Sequence, residues 1–162
     1  MVTIISGPIN SGKTTKMKER YNSDRAGDGF LSLKLIENNV VKGFDVMKLS
    51  SKETKPFIRR RGNELQEWKE NCILGPYTVS EEAIEWVTRE IERMIINRIS
   101  PIYLDEIGVL EVNGKCFYGI LETLLKDEGA LCISVRDENL NEIISKFGIT
   151  DAKIIKTGAR YA

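Results

Sequence analysis

Val2-Thr3-Ile4-Ile5-Ser6, followed by Gly7-Pro8-Ile9-Asn10-Ser11-Gly12-Lys13-Thr14-Thr15, sets a short apolar run against a glycine-containing loop that ends in lysine and two threonines. Residues 7–14 match the phosphate-binding pattern G-x-x-x-x-G-K-[ST], and the run before them reads as a buried strand. The spacing has a mechanical purpose. Two glycines let the backbone wrap closely round an anion, so the amides of residues 10–15 are expected to point at phosphate oxygens. A helix starting near Gly12 then presents its positive dipole end to the same anion. Gly7, Pro8, Ile9, Asn10, Ser11, Gly12, Lys13, Thr14 and Thr15 are therefore the candidate nucleotide-binding residues. Lys13 is expected to reach the β- and γ-phosphates, Thr14 to place its hydroxyl on a magnesium ion, and Thr15 to lie nearer the α-phosphate.

Working outward, helix-favouring residues continue over 16–21, with a break expected at Asn22-Ser23-Asp24. Segments 29–36 and 40–49 are β-rich about the turn Glu37-Asn38-Asn39, and 55–60 is a candidate third strand, so an antiparallel excursion follows the first helix. Ser80 can cap a long helix running to about Asn97, with Ile84, Val87, Ile91 and Ile95 on one face. Strand and helix then alternate. A strand at 101–104 ends in Asp105-Glu106, and Phe117, Ile120, Leu121, Leu124 and Leu125 mark a helix. A buried strand is expected at 130–135, and Asp137 caps a helix carrying Leu140, Ile143, Ile144 and Phe147. Residues 152–156 form a terminal strand. Such alternation predicts an α/β fold with a mostly parallel sheet flanked by helices, in one domain over residues 1–162.

Composition narrows the chemistry. Lys plus Arg and Asp plus Glu both number 24, so net charge gives no reason to expect a partner coated in phosphate or a membrane surface. No apolar stretch approaches the ~20 residues of a membrane span, and Met1 to Ile5 leaves no room for a signal peptide, which predicts a cytoplasmic protein. Cys72, Cys116 and Cys132 form no C-x-x-C pair and fit reduced thiols. With no histidine in the chain, a Ser-His or Cys-His nucleophile is excluded, which leaves carboxylates, lysine and arginine for catalysis.

Ile102-Tyr103-Leu104-Asp105-Glu106 supplies the acid side. An apolar strand delivers the pair to the carboxyl edge of the sheet, where open α/β folds bind ligands. Asp105 is the expected magnesium residue, acting through a bound water, and Glu106 the residue that orients the attacking water. The buried strand at 130–135 fits phosphate-loop proteins that insert an extra strand between the loop strand and the acid-bearing strand. Arg136, emerging from it on the same edge, is a third catalytic candidate beside Glu106 and Lys13, and is equally readable as a surface salt-bridge residue.

Residues 7–15, Gly29-Phe30, Gly43-Phe44-Asp45, Leu74-Gly75-Pro76-Tyr77-Thr78-Val79 and Leu104-Asp105-Glu106-Ile107-Gly108-Val109-Leu110-Glu111 together resemble the nucleoside-triphosphatase family first known from thermophiles, which has a cancer-related human relative. The resemblance implies a RecA-like core with an additional strand and magnesium-dependent hydrolysis of ATP, GTP and other triphosphates to the diphosphate and phosphate. Two departures stand out. The family's arginines between the two Gly-Phe pairs are replaced by Lys34 and Lys42, and its Asn-Arg near the C-terminus is here Ala159-Arg160.

Other readings stay open at this level. A nucleotide or small-molecule kinase would use the same loop, although no acceptor-binding element or arginine-rich lid is visible. A nucleotide-dependent switch or RNA-associated adaptor would place its function in the excursion. Arg59-Arg60-Arg61, with Lys52 and Lys55, is the strongest basic patch and reads first as a solvated face. Trp68 and Trp86 read as packing residues, Glu111 as a support for the loop at Gly108, and Arg160 with Tyr161 as a base clamp or a frayed end. Oligomeric state leaves no mark in the sequence.

Overall fold

The computed structural model describes residues 1–158. The chain runs β1 (Val2–Gly7), α1 (Lys13–Asp24), β2 (Asp28–Glu37), β3 (Val40–Lys48), β4 (Thr54–Arg60), β5 (Glu70–Leu74) and β6 (Tyr77–Ser80). It continues with α2 (Glu81–Ile96), β7 (Ile102–Ile107), α3 (Val109–Val112), α4 (Tyr118–Lys126), β8 (Leu131–Arg136), α5 (Asp137–Phe147) and β9 (Ala152–Lys156). All strands join one sheet in the order β5-β6-β4-β3-β2-β7-β8-β1-β9. From β2 to β9 the neighbours are parallel; from β2 to β5 they are antiparallel. The additional strand expected between the loop strand and the acid-bearing strand is β8, paired with β1 on one side and β7 on the other.

Side chains alternate across a strand, so a strand buried on both faces feeds two cores. Ile4, Phe30, Ile102, Leu104 and Ile133 enter the larger core, where α2, α4 and α5 bring Ile91, Leu121 and Ile143. Their neighbours Ile5, Leu31, Tyr103 and Cys132 enter the smaller one, closed by Met17 and Tyr21 of α1. Ile91, Leu121 and Ile143 are fully buried, each worth about 1.5–3 kcal/mol over an exposed side chain. Truncating any of them would loosen the helix that backs the site.

Local chemistry sets most boundaries. Asn38 and Asn39 both adopt positive φ, as a two-residue hairpin turn between β2 and β3 requires. Ser80 Oγ accepts the amide of Ala83 and caps α2, as its sequence indicates. Gly29 pairs with Tyr103 at the join of β2 and β7, with φ of 155°, and any Cβ there would overlap the Tyr103 carbonyl. That join couples the two kinds of sheet.

Several expectations need correction. The first helix runs through Asn22-Ser23-Asp24 and stops only at Arg25, whose φ of 51° ends it; packing of Tyr21 against the smaller core outweighs the weak propensities. The acid-bearing strand extends to Ile107 rather than stopping at Leu104, and β8 includes Arg136. Arg136 is the cap residue of α5, and Asp137 is its first helical residue. The Asp137 carboxylate accepts instead from Ser6 Oγ at 2.7 Å and Lys156 Nζ at 3.0 Å, which joins β1, α5 and β9. The excursion is also larger than expected, because β5 and β6 form a hairpin about Gly75-Pro76.

The basic run 59–61 is no continuous solvated face. Arg59 is buried, ion-paired with Asp45 at 2.7 Å and donating to the carbonyls of Phe44 and Ile58. Arg60 lies over the Tyr77 ring, and Arg61 pairs with Glu70. Trp86 packs edge-on against Phe30, and Trp68 donates to Thr78 Oγ1, so both tryptophans are structural. The cysteines are free thiols.

Candidate active site

The loop after β1 turns on Asn10 and Gly12, with φ of 59° and 90°. Ser11 N–H donates to the Pro8 carbonyl at 3.2 Å, so this one amide of the expected cradle is spent inside the loop. The first helical bond runs from Lys16 N–H to Gly12 O at 2.9 Å. The amides of Lys13, Thr14 and Thr15 therefore precede the helical ladder and are available to an anion. Gly7 has no room for a side chain, because a Cβ would overlap Thr157 Oγ1 and Ser11 Oγ. Thr157, just beyond β9, bonds Ser11 Oγ at 2.6 Å and the Ser6 carbonyl at 2.8 Å, fixing the back of the loop.

Lys13 is 5% exposed. Its ammonium donates to Pro8 O at 2.6 Å and Gly7 O at 3.2 Å. Burial lowers its pKa; Glu106 and Asp105 oppose the shift, and Arg136 reinforces it. An ammonium has three donors, so one is left for a ligand.

Asp105 sits under the loop, 3% exposed. One oxygen accepts from Thr14 Oγ1 at 2.7 Å and Ser32 N at 3.0 Å; the other accepts from Ser134 Oγ and Glu106 N. Burial raises its pKa, and these four hydrogen bonds counter it by favouring the carboxylate. Glu106 follows with φ of 58°, an uncommon conformation for a side-chain-bearing residue that costs on the order of 1 kcal/mol. The break in β7–β8 register between Leu104 and Ile107 accommodates it, and Ser134 Oγ takes its amide at 2.8 Å. The turn carries the Glu106 side chain to the ligand cavity while Asp105 stays beneath. Burial and the neighbouring Asp105 raise the pKa of Glu106, against the pull of Arg136, Lys13 and Lys34.

Asn10, Ser11, Gly12, Lys13, Thr14, Thr15 and Glu106 line one cavity of ≈ 420 Å³, together with Ser32, Leu33, Lys34 and Phe44.

 The other candidates fall outside that lining. Gly7 and Pro8 hold Lys13 through their carbonyls, and Ile9 is exposed. Arg136 stands beside Glu106, Nε to Oε2 3.8 Å, and also faces Glu138 at 3.9 Å, so it borders a neighbouring cavity rather than the loop's own. Arg160 and Tyr161 lie outside the described residues.

The oxygen donors fit magnesium. Thr14 would supply one hard oxygen ligand and Asp105 a carboxylate for a metal-bound water, and no cluster of three or more His, Cys, Asp or Glu suited to a metal occurs among the described residues. That donor set suits an ion whose remaining positions are filled by phosphate oxygens and water.

Sequence reasoning missed the residues that hold the acids. Ser134 is fully buried in the apolar strand Leu131–Arg136, and that lone hydroxyl was the available signal. Ser32 acts through its amide and Thr157 through a contact 146 residues distant, neither of which leaves a pattern. Lys34 reaches Asn10 Oδ1 at the loop tip, so this departure from the family's arginines still puts a cation at the site. Glu111 supports the turn after Glu106 as expected. Its carboxylate, 2% exposed, accepts from Gly108 N at 2.9 Å and Phe117 N at 3.1 Å, and burial pushes its pKa up to about 7.

Comparison with known proteins bears on the family and the fold. The sequence model of a family described as NTPase matches residues 2–157. Nucleoside-triphosphatase THEP1 of Picrophilus torridus is 23% identical over 154 residues, covering 88% of this chain and 78% of the relative. The crystal structure of THEP1 from the hyperthermophile Aquifex aeolicus superposes with a TM-score of 0.72 at 20% identity, covering 98% of this chain and 91% of that one. The solution structure of a human cancer-related nucleoside triphosphatase gives 0.65 at 23% identity, covering 98% and 89%. At such identities the structural likeness carries the fold, and the family match extends over nearly all of the chain. The chain therefore belongs to the NTPase family, enzymes that hydrolyse nucleoside triphosphates.

Proposed function

We propose that this chain, acting as one domain, hydrolyses ATP, GTP and other nucleoside triphosphates to the diphosphate and phosphate in a magnesium-dependent reaction. One observation carries the reading: Lys13, Thr14 and Glu106 border a single cavity, with Asp105 bonded to Thr14 directly beneath. The first-turn amides and the free donor of Lys13 bind the β- and γ-phosphates. The Thr14 hydroxyl donates its hydrogen bond to Asp105, so its oxygen lone pairs would be free to hold the metal, and Asp105 would hold that ion through a water. Magnesium, bound with the triphosphate, supplies neutralisation of charge on the phosphate oxygens. Glu106 orients the attacking water and accepts its proton, a task helped by a pKa held above the usual carboxylate range. Arg136 steadies Glu106 and offers positive charge toward the γ-phosphate.

The lining addresses phosphate rather than base, which supports a broad substrate range. Among the described residues no helix is long and apolar enough to cross a membrane. The direct test is phosphate release from ATP, GTP, CTP and UTP, with magnesium and with chelator. Magnesium-dependent release that falls in Thr14→Ala is the expected result. Absence of release from all four by the folded protein would refute the assignment.

A further inference from the structure

Beyond Glu106, on the side away from the loop, lies a second cavity of ≈ 150 Å³. It shares Ser32, Phe44 and Glu106 with the phosphate-loop cavity, so the two adjoin, with Glu106 lining both. Its walls differ from those of its neighbour. Phe44, Phe57 and Leu74 come from the antiparallel strands and Leu110 from α3, while Glu106 and Arg136 supply polar groups. Phe57 is 4% exposed and stacked on Phe117 with ring centroids 5.2 Å apart, so that wall is preformed. A cavity of about 150 Å³ is large enough to hold a benzene ring, and here an apolar wall faces a polar end.

We propose that this cavity is an acceptor site for a small alcohol with a single apolar ring, to which the enzyme transfers the γ-phosphoryl group in place of water. The inference rests on the proposed nucleotide site, because the same Glu106 must serve both reactions. With the ring against Phe44, Phe57, Leu74 and Leu110, the hydroxyl lies at the polar end beside Glu106. The alcohol oxygen forms a bond to the γ-phosphorus, and the bond from that phosphorus to the β–γ bridging oxygen breaks. The electron pair leaves with the nucleoside diphosphate, the hydroxyl proton passes to Glu106, and a phosphate monoester is produced. No oxidant or further reactant is needed.

The test incubates the whole protein with magnesium and γ-labelled ATP in the presence of benzyl alcohol, 2-phenylethanol or cyclohexylmethanol, with glycerol as the control. Labelled ester and labelled phosphate are separated and counted from the same tube. At least one ring alcohol is expected to give an ester-to-phosphate ratio about tenfold or more above glycerol, and Leu74→Trp, which fills the cavity, to lower that ratio about tenfold. Phosphate release without ester from any ring alcohol would overturn the acceptor site while leaving hydrolysis intact. Inhibition of phosphate release without ester would overturn it equally, since the molecule would then bind without accepting. Ester formation undiminished in Leu74→Trp, with the variant folded by circular dichroism, would remove the cavity from the account. Failure to release phosphate or form ester under any condition would instead count against the nucleotide reading itself.

Discussion

The two halves of the sheet are built from similar strands and put to different uses. In the parallel half the strands β1, β7, β8 and β9 end at one edge, so the residues at and just beyond their ends converge: the phosphate loop, Asp105-Glu106, Arg136 and Thr157. In the antiparallel half successive strands end at opposite edges, and no comparable gathering occurs. Its charges neutralise one another instead, as in the pair of buried Arg59 with half-buried Asp45 and the exposed pair Arg61–Glu70. Its contribution is a wall, through Phe44 at the loop cavity and through Phe44 and Phe57 at the neighbouring one. Convergence of strand ends, more than the number of charged residues, decides where chemistry can be assembled.

That contrast predicts different consequences on the two sides. Lys13→Ala should lower kcat/KM by about 10³-fold, about 4 kcal/mol, because it removes the one cation built into the loop; a loss under tenfold in steady-state phosphate release would break the comparison. Arg59→Met should instead cost about 2 kcal/mol in urea unfolding, since Asp45 loses its partner, with kcat/KM left within about threefold. A large loss of turnover there would give the antiparallel half a chemical role.

Glu111→Gln should cost about 1–2 kcal/mol, because an amide has one acceptor oxygen for two backbone donors. Its pH dependence has a definite sign. The folded state raises this carboxyl from 4.5 to about 7, so its protonated form is favoured by folding. The wild-type advantage should then be largest below about pH 4.5 and shrink as pH rises toward 7, as seen in paired urea titrations. The smallest effect concerns the base. ATP and GTP should have kcat/KM values within about tenfold of each other, about 1.4 kcal/mol, because the cavity lining meets phosphates first.

Much of the parallel half was legible because its signals are local. The apolar run 2–6, the loop and the acid pair each occupy one short stretch, and the alternation of strand and helix gives the parallel order. The antiparallel half was read only in part. Asn38-Asn39 marks one hairpin, whereas β5 is short and opens on the polar pair Glu70-Asn71, so its pairing with β6 is fixed by tertiary contact. The basic run 59–61 misled because alternation along a strand sends its first member inward, to Asp45. In the site itself, Ser134, Thr157 and Lys34 act across long sequence separations, and only folding brings them to Asp105, Ser11 and Asn10.

The central claim is that Glu106, turned into the cavity by its left-handed backbone, prepares the attacking water while Asp105 serves the metal below. Single-turnover hydrolysis by Glu106→Gln, measured beside its affinity for magnesium–ATP, tests it most directly. The account predicts nucleotide affinity within about threefold of wild type and a hydrolysis rate lower by about 10²-fold, since the amide keeps the shape and removes the base. Hydrolysis at the wild-type rate with nucleotide bound would contradict it.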